Sequence, residues 1–349
     1  MSDIIRVAPD TIEAAIREVL TAREVPEDDA AATARGLVAA NLRGVDTHGL
    51  ACLPDYVTCL DGNRIKARPD MRAERRPPWA ATLDADNGLG PVAATRATDL
   101  ALEAAREFGI GATAVRRSNH FGAAGVYAAM AAEQDCIGIV CANASTVTAP
   151  FGAAAPLLGT NPLAVAAPAG RHPPFVLDMA TSEGSRKKIR KALAEGKPIP
   201  EGWSLGPDGR PTTDPAEALK GVMLPFGGVK GSGITLLVDI LSGVLTGARF
   251  GGDVLSVLTN QERESGNGHF VLAFQASAFL PEGEFTARMD EEIDRLKALP
   301  PAMGFDEVSY PGEREWRTAM ERKAEGIPIP LPLVEQIVAL GGGSLRGTA

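Results

Sequence analysis

Cysteine, histidine and aromatic residues are sparse in this chain, and several familiar signatures are missing from it. The four cysteines (Cys52, Cys59, Cys136 and Cys141) form no CxxC pair, and no His/Cys cluster has metal-ligand spacing. Neither a disulfide scaffold nor a bound metal is expected, and the thiols read as small buried hydrophobes in a reducing compartment, the cytoplasm. Met1 to Asp10 shows no cationic segment followed by an apolar run, so no secretory signal is expected. The most apolar helix candidate, Ile234 to Leu245, carries Asp239 and Ser242 and falls short of the ~20 residues a bilayer requires, so no membrane partner is expected. Excess positive charge is absent as well. A net charge of −9 and an isoelectric point near 5.1 argue against a nucleic-acid partner, because binding phosphates takes clustered Lys and Arg. There is no G-x-G-x-x-G between a strand and a helix and no G-x-x-x-x-G-K-[ST] loop, so a Rossmann domain is not supported.

What is present is a chain of 349 residues, enough for two domains, with 45% apolar residues to bury. Ile12, Ala15, Ile16, Val19 and Leu20 repeat at helical spacing behind a capping-box-like Asp10 and Glu13. A second helix follows the acids of Pro26-Glu27-Asp28-Asp29 and ends near Gly44. From about Arg76 the texture changes to small residues and short apolar runs. Ala93 to Phe108 reads as a helix, and Gly111 to Val115, Ile137 to Cys141, Leu163 to Ala167, Phe175 to Met179 and His269 to Phe274 read as strands. Further helices are expected at Ser232 to Gly247, Glu291 to Leu299 and Val334 to Leu340. The expectation is a mixed α/β protein: a helical domain built from both chain ends (1–75 and 286–349) around a central domain (76–285).

Two glycine-rich segments lead into helices, His120-Phe121-Gly122-Ala123-Ala124-Gly125 and Gly227-Gly228-Val229-Lys230-Gly231-Ser232-Gly233. Helix N-termini offer unpaired N–H groups that suit a pyrophosphate, and Lys230 adds a charge; the same glycines could equally serve turns and close packing. Of the four histidines, His48 lies in a polar turn beside Thr47, where a ring near neutral pKa could give a proton to a developing alkoxide or simply sit at the surface. His120 suits cofactor contact or helix capping, His172 an exposed loop, and His269 a structural place on a strand.

Taken in order, Gly44-Val45-Asp46-Thr47-His48-Gly49, Ser118-Asn119-His120-Phe121-Gly122, Leu158-Gly159-Thr160-Asn161-Pro162, Leu177 to Ser182, Pro225 to Gly231 and Tyr310-Pro311-Gly312-Glu313 resemble the malate/L-lactate dehydrogenase family of the non-Rossmann type. That family also holds sulfolactate and ureidoglycolate dehydrogenases, diketogulonate reductase and the piperideine- and pyrroline-2-carboxylate reductases. The resemblance implies a homodimer whose central domain binds NAD or NADP on a mixed or antiparallel sheet. It implies a small 2-oxo/2-hydroxy acid substrate, with His48 as proton donor and acceptor oriented by Thr47, and with Lys188 in the catalytic set. His120, Phe121, Gly122, Ala123, Ala124, Asp178, Met179, Ala180, Lys230, Gly231, Gly312, Glu313 and Arg314 match cofactor segments, and Thr160 matches a substrate position.

Two departures bear on the substrate. Where the family commonly has an Arg four residues after the histidine, a bidentate grip on a carboxylate, this chain has Cys52. Where it usually has Gly before the residue matching Lys188, this chain has Lys187. Either a nearby cation, Lys187 or Arg186, takes over the lost contact, or the substrate is less anionic at that end. Three functions remain to be weighed: carbonyl reduction, cyclic-imine reduction, and nucleotide binding without turnover. Lysine at 188, where the imine reductases carry Asp, favours the carbonyl. No residue can be assigned from sequence to discriminate NAD from NADP.

Overall fold

A computed structural model describes residues 4–256 and 263–347; the outermost residues of the expected helical domain, 1–3 and 348–349, lie outside this range. The chain begins with strand β1 (Ile4–Val7) and helices α1 (Pro9–Thr21), α2 (Glu27–Leu42) and α3 (Leu53–Asp61), with two 3-10 turns, Asp46–His48 and Leu50–Cys52, between α2 and α3. The expected capping box is not used. Ala8 takes the N-cap place, Pro9 starts α1 with its φ already helical, and Asp10 is left to complement the helix dipole. All five periodic residues of α1 are buried.

The central part holds β2 (Arg72–Arg75), β3 (Ala80–Asp84), α4 (Gly90–Phe108), β4 (Ile110–Ser118), α5 (Ala124–Ala132), β5 (Cys136–Ala142), β6 (Leu163–Ala167) and β7 (Phe175–Met179). It continues with α6 (Arg186–Ala194), β8 (Ser204–Leu205), α7 (Pro215–Lys220), β9 (Val222–Met223), α8 (Val229–Asp239) and β10 (Asn267–Gln275). Seven strands form one mixed sheet in the order β2-β3-β4-β10-β5-β6-β7, antiparallel at every pair except β3 with β4. A dinucleotide fold of the Rossmann kind needs parallel neighbours throughout its core, so the missing glycine signature and the topology agree.

The small-residue texture has a packing cause. The buried face of α4 is alanine-rich (Ala93, Ala94, Ala97, Ala101, Ala104 and Ala105), and a Cβ on Gly111 of β4 would stand 1.9 Å from the Ala101 carbonyl oxygen. Helix and strand approach so closely that only these residues fit. Gly109 closes α4 with φ +78°, a left-handed conformation that favours glycine.

The C-terminal elements are α9 (Glu284–Lys297), α10 (Glu313–Glu325), β11 (Ile327–Pro330) and α11 (Leu331–Ala339). β11 pairs antiparallel with β1, so the two ends of the chain close on each other. One apolar core runs from Val7, Ile12 and Ile337 through Tyr56 and Leu102 to Val140 and Val271. All four cysteines are buried, and none is in a disulfide. Among the described residues no helix is long and apolar enough to cross a membrane.

Candidate active site

His48 ends the first 3-10 turn after α2, and a network from the far end of the chain fixes that turn. Asn41 of α2 donates through Nδ2 to Asp46 Oδ1 at 2.7 Å and accepts the Leu50 N–H at 2.7 Å. Arg322 of α10 donates to both Asp46 carboxylate oxygens, at 2.6 and 3.1 Å. The His48 Nδ1 lies 2.9 Å from the Thr47 hydroxyl, and its ring stacks on His120 with centroids 5.6 Å apart. Burial and the charge of Lys187 together hold the His48 pKa down to about 4.

His120 lies four residues before α5 rather than opening it. Its Nδ1 receives the Gly122 N–H at 3.4 Å and lies 2.9 Å from the Tyr56 hydroxyl. A backbone N–H can only donate, so Nδ1 is the acceptor and the ring proton belongs on Nε2. Burial, then the neighbouring His48, lower the His120 pKa to about 3. Phe121 is sandwiched between His269, at 4.5 Å, and Tyr127, at 5.3 Å. His269 is thus a buried core residue on β10, and His172 holds Asp294 through Nε2 at 2.8 Å.

The two lysines expected near the site part company. Lys187 Nζ donates to the Thr47 carbonyl oxygen at 2.9 Å, whereas the Lys188 ammonium stands over the Trp203 ring, 5.9 Å from its centroid. The Lys188 backbone N–H is held by Ser185, the N-cap of α6. The Cys52 thiol is buried and points at the same Thr47 carbonyl, 3.5 Å away; burial pushes its pKa up to about 12.

The expected cofactor segments gather in two groups. At the first, Asp178 on β7 accepts the Gly125 N–H at the start of α5 at 2.9 Å. Crowding by the surrounding protein raises the Asp178 pKa, opposed by that bond and by Arg43. Gly312 joins this group: with φ +94° it lies against β7, where a Cβ would meet the Val176 nitrogen at 2.8 Å, and Val176 N–H bonds the Pro311 carbonyl at 2.9 Å. Glu313 is buried in an ion pair with Lys297 at 2.9 Å, and Arg314 is exposed beside Glu315. Met179 and Ala180 follow Asp178 along the same edge.

In the second group, the Thr160 carbonyl accepts the Thr181 N–H at 2.8 Å, the Phe226 N–H bonds the Thr181 carbonyl at 3.1 Å, and Asn161 Nδ2 reaches the Thr235 carbonyl of α8 at 3.1 Å. Gly231 is the close-packed glycine there, since a Cβ would fall 1.7 Å from the Phe226 carbonyl oxygen. Lys230 is exposed on the first turn of α8, and the N-cap Gly228 supplies no side-chain bond to that turn. A cleft of about 560 Å³ opens beside Gly227, Gly228 and Glu183.

Sequence reasoning missed Tyr56, Arg43 and Arg322. Tyr56 falls four residues after Cys52, one helical turn along α3, which was itself not foreseen. Arg322 carries no local signal, because its partners lie 276 residues away.

The sequence profile described as malate/L-lactate dehydrogenase matches residues 7–338. L-sulfolactate dehydrogenase of Methanocaldococcus jannaschii is 41% identical over 329 residues that cover 94% of each chain. The solved sulfolactate dehydrogenase structure from that organism superposes with a TM-score of 0.91 over 98% of this chain and 97% of its own. Two further relatives are a (2R)-3-sulfolactate dehydrogenase (NADP(+)) of Chromohalobacter salexigens, 36% identical with 92% and 93% covered, and a ureidoglycolate dehydrogenase (NAD(+)) of Escherichia coli K12, 30% identical with 96% and 95% covered. The Δ1-piperideine-2-carboxylate reductase structure from Pseudomonas syringae is also similar, at 28% identity and a TM-score of 0.86, with 96% of this chain and 99% of that one covered. Sequence profile, relatives and fold converge: the chain is a dehydrogenase of the malate/L-lactate dehydrogenase family.

Proposed function

We propose that this enzyme transfers a hydride reversibly between NAD or NADP and C2 of a small 2-oxo/2-hydroxy acid, with His48 moving the proton. The observation that carries this reading is the His48 ring held between Thr47 and His120 with a lysine ammonium one peptide away. Relatives named for NAD and for NADP both support a nicotinamide cofactor without choosing between the two. The donor set fits such a group: an exposed Lys230 on an uncapped helix start suits phosphates, and open space in front of Gly227 leaves room for them. When bound, the nicotinamide supplies or accepts the hydride at C4.

The protein's own part is the proton. The Thr47 hydroxyl can donate to the His48 Nδ1 or accept from it, so Nε2 can be protonated for reduction or bare for oxidation. An ammonium beside His48 steadies a developing alkoxide and repels an iminium, which favours a carbonyl over a cyclic imine. The charged site also argues against a chain that only binds nucleotide.

The residue ranges 1–75 and 286–349 around 76–285 serve as the helical and cofactor domains in this reading. A homodimer is supported by the apolar stripe Val229, Leu236, Leu237, Ile240 and Val244, exposed along α8 and the π-helical turn after it, which a second copy would cover. Four buried cysteines outside any disulfide support a cytoplasmic setting.

The test is kcat for the wild type and His48→Ala with NADH and NADPH on a panel of 2-oxo acids and piperideine-2-carboxylate. Loss of a general acid lowers kcat by ~10²- to 10⁴-fold. A loss below about tenfold removes His48 from the mechanism, and imine turnover exceeding every 2-oxo acid reverses the choice of substrate.

A further inference from the structure

Two side chains from different elements converge on one backbone atom. Lys187, on the first turn of α6, and Cys52, in the turn before α3, both direct their heads at the Thr47 carbonyl oxygen. That oxygen belongs to the residue preceding His48. The ammonium spends one N–H there and keeps two. Among the described residues no carboxylate forms an ion pair with Lys187, while its charge bears on His48, His120, Cys52 and Asp55. The flanking cations of α6 point elsewhere, Arg186 to the Gly221 carbonyl and Lys188 to Trp203.

We propose that Lys187 holds the substrate's carboxylate beside His48, supplying from α6 the cation that the buried thiol of Cys52 does not supply from α3. This rests on the reading of the substrate as a 2-oxo/2-hydroxy acid. In such a molecule the carboxylate is bonded directly to the reacting carbon. Whatever grips it must therefore stand next to the proton-transfer group, and the Thr47 carbonyl is one peptide from His48. The thiol, neutral across the working pH range, neither competes for an anion nor repels the ammonium. An ammonium is a point charge on a flexible stem, whereas a guanidinium is a planar fork, so Lys187 fixes the carboxylate's position better than its rotation.

Lys187 and Cys52 are then coupled positions: one cation fits at this carbonyl and two do not. Lys187→Met raises KM for pyruvate by about 10- to 100-fold, the range a charge-assisted hydrogen bond covers, with a smaller change in kcat. Cys52→Arg alone gives no gain, since the new guanidinium meets the ammonium. In the Lys187→Met background the same Cys52→Arg change recovers at least about tenfold in kcat/KM, a non-additivity expected only of residues in contact. Lys187→Met also moves the acid limb of lactate oxidation to higher pH, because a cation near His48 is gone; a lysine that only braces the Thr47 carbonyl would shift that limb too, so the KM is what separates the two roles.

The experiment is this cycle, with pyruvate and lactate and the better of the two cofactors, and a melting curve on each variant. A KM for Lys187→Met within about threefold of wild type overturns the proposal, as does an equal effect of Cys52→Arg in both backgrounds. If Cys52→Arg does not fold, the KM of Lys187→Met decides alone. A wild type inert toward every 2-oxo acid overturns the functional reading beneath it and this proposal together; turnover with an unchanged KM in Lys187→Met overturns this proposal only.

Discussion

At the scale of single residues the proposed chemistry turns on how a histidine with its pKa lowered to about 4 in the free protein would do acid–base work. Burial and Lys187 disfavour the imidazolium, so at neutral pH His48 is an uncharged base, suited at once to taking the proton from a hydroxy acid. On the proposed binding mode, a carboxylate held by Lys187 would cancel its charge and raise the His48 pKa, so the anionic substrate itself would make the ring a better acid for the reductive direction. The two pH profiles should therefore differ. For oxidation, kcat/KM reports the free enzyme and should fall only as pH drops through about 4, whereas the limb in kcat, which reports the complex, should lie higher. Coincident limbs in the two profiles would show that substrate and Lys187 do not share His48. The Thr47–His48 contact was legible in the sequence as a His beside a hydroxyl in a polar turn, whereas the proton-transfer role proposed for it came from the family resemblance. The division of labour between Lys187 and Lys188 was not legible, since adjacent residues on a helix point about 100° apart and only the packed structure shows which one meets the site.

At the scale of elements, periodicity foretold those whose buried face is their own signal, such as α1, α4 and the apolar strands β5, β6 and β7. It gave no sign of α5, which is apolar around almost its whole circumference and was announced only by the glycine-rich lead from His120 to Gly125, and it missed the charged α6 and α10. The expected helix from Ser232 to Gly247 begins earlier, at Val229, and passes at Ile240 into a π-helical turn that ends at Val244. A site can depend on an element that sequence reading overlooks, and α10 is the case in point. Arg322 spans from α10 to the His48 turn, bonding the Asn41 carbonyl and both oxygens of Asp46, and its side chain is only 12% exposed. Those contacts place it to position the His48 turn. Arg322→Met should cost ~1.5–3 kcal/mol in stability for the lost charge-assisted bonds, and should lower kcat with little change in KM because the turn carrying His48 loosens. Arg322→Lys should recover part of the kcat. Urea unfolding with kinetics on both variants tests this; a stability loss with unchanged kcat would make the contact structural only.

At the scale of the molecule, one consequence follows from three imidazoles gathered in one continuous fold. His48, His120 and His269 are all depressed, to about 4, 3 and 4, with burial the largest cause each time. The unfolded chain binds protons on these rings near the ordinary histidine pKa of about 6.5, while the folded chain does not until far lower pH. Between those limits the unfolded state holds more protons, so stability is fully present above about pH 6.5 and is lost as pH falls toward 4. Carboxylates with raised pKa, the half-buried Asp29 and the buried Asp239 among them, act in the opposite sense. His269 offers the cleanest test, because it stacks on Phe121, bonds the Asn119 carbonyl through Nε2 at 3.1 Å, and leaves Nδ1 without a partner among the described residues. His269→Phe keeps the stack, removes one titrating group, and should flatten the fall in Tm between pH 6.5 and 4.5 by about a third of its slope, one ring of three. Proton uptake on unfolding, measured calorimetrically in buffers of different ionisation enthalpy, should drop by about one in the same variant at pH 5. An unchanged slope and uptake would mean that His269 is not held neutral in the folded protein.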